Sequence, residues 1–199
     1  MRQVAVATLE YDKAHGSLPP HALFGEDGRP LLSWRVLILP FMGEQRLYEK
    51  FRLHEPWDSP HNIALIPEMP MQYGRYDGDR TADPYTTFYR VFVGKGAAFE
   101  GTQGLRLAKD FPDGTAHTIL IVEAGSAVPW TKPSELPYVR GEPLPELGGQ
   151  SKPTIRAALA DGSVRYFKRG IRESTLHAAI TRDGNDRPEG PDWPESPGE

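Results

Sequence analysis

The chain has 199 residues and a formal net charge of −4. That length suits one domain, or at most two small ones. It contains no cysteine, which excludes disulfides, thiolate catalysis, Cys-ligated zinc and iron–sulfur clusters. The acidic balance and the lack of a basic patch with interleaved aromatics argue against a nucleic-acid partner.

No apolar run approaches the roughly 18–20 residues of a membrane-spanning helix. The longest apolar-rich stretch, residues 36–42, is broken by Pro40. Met1 and Arg2 lead into a short patterned segment, not into the apolar region of a secretory signal. Gly and Pro together make up 40 of the 199 residues, about a fifth. Average usage is about 12%, so short elements joined by much irregular backbone are expected.

Residues 1–15 form the best helix candidate, with Val4, Ala7, Tyr11 and Ala14 at three- and four-residue steps. Gly16 stops it, and Pro19-Pro20 prevents continuation. Its start carries no cap signal, as though the helix were cut in the middle. Residues 25–30 read as a loop or tight hairpin. Ser33 is placed to cap a short helix carrying Trp34, Leu37 and Ile38, which Pro40 ends or kinks. Residues 44–51 suggest another short helix with Leu47, Tyr48 and Phe51 on one side.

At residues 57–60, Asp58 or Ser59 is the expected N-cap and Pro60 the first helical residue. Ile63, Ile66 and Met69 are then expected to face inward. Residues 71–84 are polar and read as a loop. Strand signals follow at residues 86–93 and 115–123. A long Pro-rich excursion runs through residue 149. Residues 154–167 form the clearest hairpin, with Asp161-Gly162 between two apolar runs in the composition of a type I′ turn. Residues 174–181 close as a short helix.

Residues 183–199 hold six acids, one Arg and seven Pro or Gly. Pro188, Pro191, Pro194 and Pro197 recur every third residue, the spacing of one edge of a polyproline II helix. A binding module could read such an edge. The composition itself points to a solvated tail without fixed structure.

Chemistry-bearing constellations are sparse. His54, Asp58 and His61 have a spacing that metals accept, but Asp58 also serves as a helix cap. Asp77, Asp79 and Asp83 resemble the opening of a calcium loop. An EF-hand is excluded, because Ala82 stands where Gly belongs and Phe88 where Glu belongs. A looser calcium site using oxygen-rich loop positions such as Asp77, Asp79, Asp83, Asp110 and Asp113 is the remaining metal reading. Neither a nucleophile elbow nor a phosphate loop is present. Glu123 ends an apolar strand, either as an acid/base group or as hydrogen-bonded structure. No catalytic residue is assigned and no cofactor is expected.

Several segments nonetheless resemble one family. They are residues 31–36 (LLSWRV), 55–62 (EPWDSPHN), 90–94 (RVFVG), 113–115 (DGT) and 118–124 (TILIVEA). Residues 127–133 (AVPWTKP), 160–165 (ADGSVR) and 175–182 (TLHAAITR) complete the set. Trp34, Trp57, Asp58, Ser59, Pro60, His61, Glu123, Trp130, Asp161 and Gly162 are its motif residues here. The pattern is similar to the prepilin-like family catalogued as domain of unknown function 1559, over residues 2–184. That family's C-terminal signature is a His, nine residues, then Asp-Gly. Asp161-Gly162 is present, but Ser151 stands where the His belongs.

The resemblance implies an α+β, pilin-like architecture: an N-terminal helix packed on an antiparallel β-sheet, with short helices and long Pro/Gly-rich loops. Residues 1–183 would be one pseudopilin-like head. Residues 1–16 would be the second half of the pilin helix, and residues 184–199 an acidic, Pro-rich tail. The implied role is a non-enzymatic structural or assembly protein of the bacterial cell envelope. Its expected partners are other pilin-like or secretion-system proteins. Membrane contact would come only through an N-terminal segment that this chain lacks. A chain trimmed from a longer precursor would be anchored in the inner membrane with its head outside. A chain naturally starting at Met1 would be cytoplasmic. The alternatives are a soluble carbohydrate- or peptide-binding module on the same scaffold, for which exposed Trp57, Trp130 or Trp193 would speak, and a metal-dependent enzyme.

Overall fold

A computed structural model describes residues 1–74, 83–149, 153–188 and 193–194. Helix α1 (Arg2–His15) matches the expected span. Gly16 ends it with φ 77°, and the Gly16 N–H donates to the Asp12 carbonyl at 2.7 Å. Val4, Ala5, Ala7 and Thr8 are its buried residues. Small side chains at these positions let the helix approach its neighbours closely. Tyr11 is half-buried and stacks on His15 with ring centroids 4.0 Å apart, while Ala14 is exposed.

Strands β1 (Ala22–Phe24) and β2 (Pro30–Ser33) pair as the antiparallel hairpin expected around residues 25–30. Ser33 then caps α2 (Trp34–Leu37), accepting from the Arg35 N–H at 3.3 Å. Pro40 opens a 3-10 turn, Leu39–Met42, followed by α3 (Gln45–Tyr48). Helix α4 (Pro60–Ile63) has Ser59 as its cap, accepting from the Asn62 N–H at 3.1 Å, with Pro60 in its first turn. Ile63 corrects the expectation: it is exposed, and Asn62 is the buried residue. One helical turn is too short for apolar periodicity to choose a face.

A four-stranded antiparallel sheet in the order β3-β5-β7-β8 is the centre of the molecule. Its strands are β3 (Thr86–Arg90), β5 (Ile119–Pro129), β7 (Thr154–Leu159) and β8 (Val164–Lys168). The short strands β4 (Phe92–Val93) and β6 (Leu136–Pro137) form a separate pair, which is parallel. Helix α5 (Glu173–Ile180) follows β8.

The sheet separates two hydrophobic clusters. Tyr89, Leu120, Ile121, Ala158 and Ala160 meet α1 and the segments after it through Val4, Ala7, Trp34, Leu39 and Tyr73. Ile119, Val122, Ala157, Leu159 and Phe167 meet α5 through Leu176, Ala179 and Ile180. Strict alternation would put Leu120 and Ile121 on opposite faces. A register shift between Ile119 and Ile121 places both in the first cluster. Each fully buried large apolar side chain stabilises by roughly 1.5–3 kcal/mol, so these two clusters are the main source of stability.

The hairpin joining β7 and β8 is not a type I′ turn, which needs positive φ at both central residues. Gly162 has φ 85°, but Asp161 is not among the positive-φ residues. The Gly162 N–H donates to the Leu159 carbonyl at 2.9 Å, and the Leu159 N–H to the Ser163 carbonyl at 2.8 Å. This is a three-residue loop with glycine in the left-handed position, and Asp161 Oδ1 accepts from the Ser163 N–H at 2.8 Å.

The described residues past 183 contact the head. The Asn185 N–H donates to the Asp113 carboxylate at 3.1 and 3.2 Å. Arg140 pairs with Asp186 at 2.6 Å, and Pro188 is buried. Trp193 packs on the second cluster. Pro191 and Pro197 lie outside the described residues.

Candidate functional site

A dense polar arrangement surrounds Arg35, a cation in the apolar stretch of residues 31–39. Its side chain is fully buried, as is that of Glu135, and the two pair at 3.1 Å. Arg35 also donates to three carbonyls: Nε to Trp130 at 2.8 Å, Nη1 to Tyr89 at 2.8 Å and Nη2 to Lys132 at 2.9 Å. Glu135 Oε2 accepts from the Val91 N–H at 3.0 Å. Arg90 donates from Nε to the Ser134 carbonyl at 2.6 Å and from Nη2 to the Glu135 carbonyl at 2.8 Å. Two guanidinium forks thus satisfy backbone acceptors of the Pro-rich excursion and tie it to α2 and β3. Arg35 is a backbone anchor, without free donor geometry toward solvent.

Trp130 belongs to the same knot. It is fully buried, and its indole N–H donates to the Ile66 carbonyl at 2.9 Å. Tyr73 stacks on it at 5.8 Å and Phe51 meets it edge-on at 5.7 Å. The Tyr73 hydroxyl donates to the Arg35 carbonyl at 2.8 Å, and burial pushes its ionisation far up. Trp34 is fully buried under the Arg35 guanidinium. Trp57 is half-buried, with the Lys132 ammonium 5.3 Å from its ring centroid. Neither Trp34 nor Trp130 offers a ring for ligand stacking.

His21 lies beside this knot. Burial lowers its pKa, while the Glu135 charge and the Gly101 carbonyl oppose that shift. Its Nδ1 is buried without a partner among the described residues.

The remaining motif residues are also structural in their contacts. Asn62 Oδ1 accepts from the Arg52 N–H at 3.0 Å, and its Nδ2 donates to the carbonyls of Arg52, Glu55 and Pro56 at 3.0–3.1 Å. His61 Nε2 lies 2.8 Å from the Lys50 carbonyl, so that nitrogen carries the proton. The Glu123 carboxylate is fully buried and pairs with Arg156 Nε at 3.2 Å. Tyr89 Oη accepts from the Met1 amino group at 3.2 Å. Burial, assisted by the Arg156 charge, lowers that amine to about 6.

Among the described residues, no three His, Asp or Glu side chains converge to hold a metal ion. His54, Asp58 and His61 therefore do not form a metal cluster. Asp83 accepts from the Tyr85 N–H at 2.9 Å and Asp110 from the Arg106 N–H at 2.8 Å, which holds the Asp110 carboxyl below its usual range. Asp113 is committed to Asn185. Asp77, Asp79 and Ser151 lie outside the described residues.

Sequence reasoning missed Arg35, Arg90, Glu135, Tyr73 and Asn62 as a set. An arginine between Trp34 and Val36 in an apolar run was the available signal, because a buried guanidinium demands partners. Its acidic partner lies 100 residues away, beyond any local pattern.

No curated protein matches the chain, and no solved structure does. No described helix is long and apolar enough to cross a membrane. Residues 1–72 match the model of the family described as Protein of unknown function (DUF1559), the family that the chain's motifs resemble.

Proposed function

We propose that the chain is a non-enzymatic, pseudopilin-like structural or assembly protein of the bacterial cell envelope that works through contacts of its head with other pilin-like or secretion-system proteins. The observation that carries this reading is the outer side of α1. Val6 is 45% exposed there and lines one groove with Phe41 and Met42, edged by Arg2, Gln3 and Gln72, beside Met71 at 86% exposure. A groove with exposed apolar side chains and a polar rim favours a protein partner over solvent. Several motif residues add support of another kind: Ser59, His61, Trp130 and Asp161 bond to backbone groups and Glu123 pairs with Arg156, as a scaffold requires.

The test is made in cells expressing the protein from its own gene. The chain is expected in the envelope fraction, and a photo-crosslinker at Val6 or Met71 should give adducts with pilin-like proteins. A crosslinker at exposed Lys95 should give none. Recovery wholly in the soluble cytoplasmic fraction, without adducts from Val6 or Met71, overturns the proposal.

A further inference from the structure

On the sheet face opposite α1, a surface is built around His117, Arg165 and Phe167. Trp193 sits on it. Its ring stacks on His117 with centroids 5.9 Å apart and an interplanar angle of 28°, and it meets Phe167 edge-on at 5.6 Å. Trp193 packs against the second hydrophobic cluster, together with Leu144 and Ile171. A large amphipathic ring held between two aromatic side chains is the usual form of a binding anchor.

Arg165 adds an independent observation. Strand alternation puts it on the same face as Phe167. It is 8% exposed, and its Nε is buried without a partner among the described residues. Arg169 and Arg172 follow within the next seven residues with no acid between, Arg169 donating to the Gly148 carbonyl at 2.7 Å, while Lys168 falls on the opposite face by the same alternation. A buried guanidinium whose Nε has no partner among the described residues suits an acidic ligand. The segment that carries Trp193 has this chemistry, with Glu189, Asp192 and Glu195 among Pro188, Pro191, Pro194 and Pro197.

We propose that this face is a docking site for a tryptophan carried on an acidic, proline-rich segment. The chain's own Trp193 fills it in cis, and the same segment of a second copy is the partner that fits it in trans. A tethered ligand competes at an effective concentration of about millimolar, so the cis segment excludes the trans one until it is displaced. This goes beyond the envelope reading, which rests on the opposite side of the molecule.

The probe is a fluorescent peptide of residues 188–199, titrated against the full-length chain. The Trp193→Ala chain should bind it at least about tenfold more tightly than the unsubstituted chain. A peptide with its own tryptophan replaced by alanine should lose at least about tenfold in affinity. Circular dichroism verifies that each chain is folded. Equal binding to both chains overturns the proposal, as does no binding to either up to roughly 1 mM. Equal binding of a scrambled acidic peptide overturns it too. If Trp193→Ala does not fold, Trp193→Tyr replaces it. It should bind the peptide more tightly than the unsubstituted chain, and a folded Trp193→Tyr chain that matches the unsubstituted one overturns the proposal.

Discussion

Arg35 and Glu135 form an ion pair at 3.1 Å with both side chains withdrawn from water. Removing one member of such a pair leaves an uncompensated buried charge, which costs about 3–5 kcal/mol. Glu135→Ala is therefore expected to lower the unfolding free energy by about that amount in urea titrations. Arg35→Met should cost more. It orphans the carbonyls of Trp130, Tyr89 and Lys132, at about 1–3 kcal/mol for each that water cannot reach. For the same reason the double variant Arg35→Met/Glu135→Leu should recover only part of the loss. Full recovery would mean that the pair acts by charge alone and that the carbonyls are indifferent.

Asn62 offers a neutral counterpart. It closes the loop of residues 52–56 with four hydrogen bonds besides lying under the Ser59 cap. Asn62→Ala is expected to cost about 1–3 kcal/mol in urea unfolding. Ser59→Ala should cost about 0.5–2 kcal/mol as the loss of a cap. Because the two residues touch, the double variant should fall short of the sum.

His21 predicts a pH dependence. Its folded pKa lies below the ordinary value of 6.5, mainly through burial. In the window between those two pKa values the unfolded chain binds more protons, so stability rises with pH. The contribution is complete above pH 6.5 and is lost as the pH falls toward the folded value. Melting temperatures at pH 7.5 and pH 5 should differ more for the native chain than for His21→Gln. Equal differences would show that His21 titrates alike in both states.

Two glycines separate space from backbone freedom. A Cβ on Gly94 would overlap the Tyr138 carbonyl oxygen, while one on Gly141 meets nothing within 4 Å. Gly141 has φ 81°, so Gly141→Ala should cost roughly 1 kcal/mol from conformation alone. Gly94→Ala must move the strand pair β4–β6 and should cost about 1–3 kcal/mol. The comparison is a thermal melt of each variant against the parent chain.

Local chemistry was the legible part of this fold. Gly16, Ser33, Ser59-Pro60 and the run through Asp161-Gly162 mark their helix ends and hairpin because each acts within a few residues. The α+β class and the antiparallel central sheet agree with what the family resemblance implies. The parallel β4–β6 pair was not legible, since Phe92 and Leu136 each sit in runs too short to carry a period. The polar knot was hidden by distance: Arg35 meets Tyr89, Trp130 and Glu135 across separations of 54, 95 and 100 residues. Ile63 was misread because its helix has a single turn and Asn62 needs the inside for its amide. Among the candidate carboxylates, Asp83 and Asp110 had local hydrogen-bonding duties, to Tyr85 and Arg106, that composition could not distinguish from metal binding.

The two-sided sheet has a further consequence. No residue of the second cluster comes from residues 1–72, the part that matches the family model. The first cluster holds α1, Trp34, Leu39 and Tyr48 with their neighbours. The two sides meet along strands such as β5, where Ile121 and Val122 are adjacent but belong to different clusters, and at Ala97–Ala98. Most side chains on one side can be exchanged without refitting those on the other, the Arg35–Glu135 pair apart. In such a molecule a family's recognisable N-terminal third can persist while the far side is rebuilt for a new neighbour.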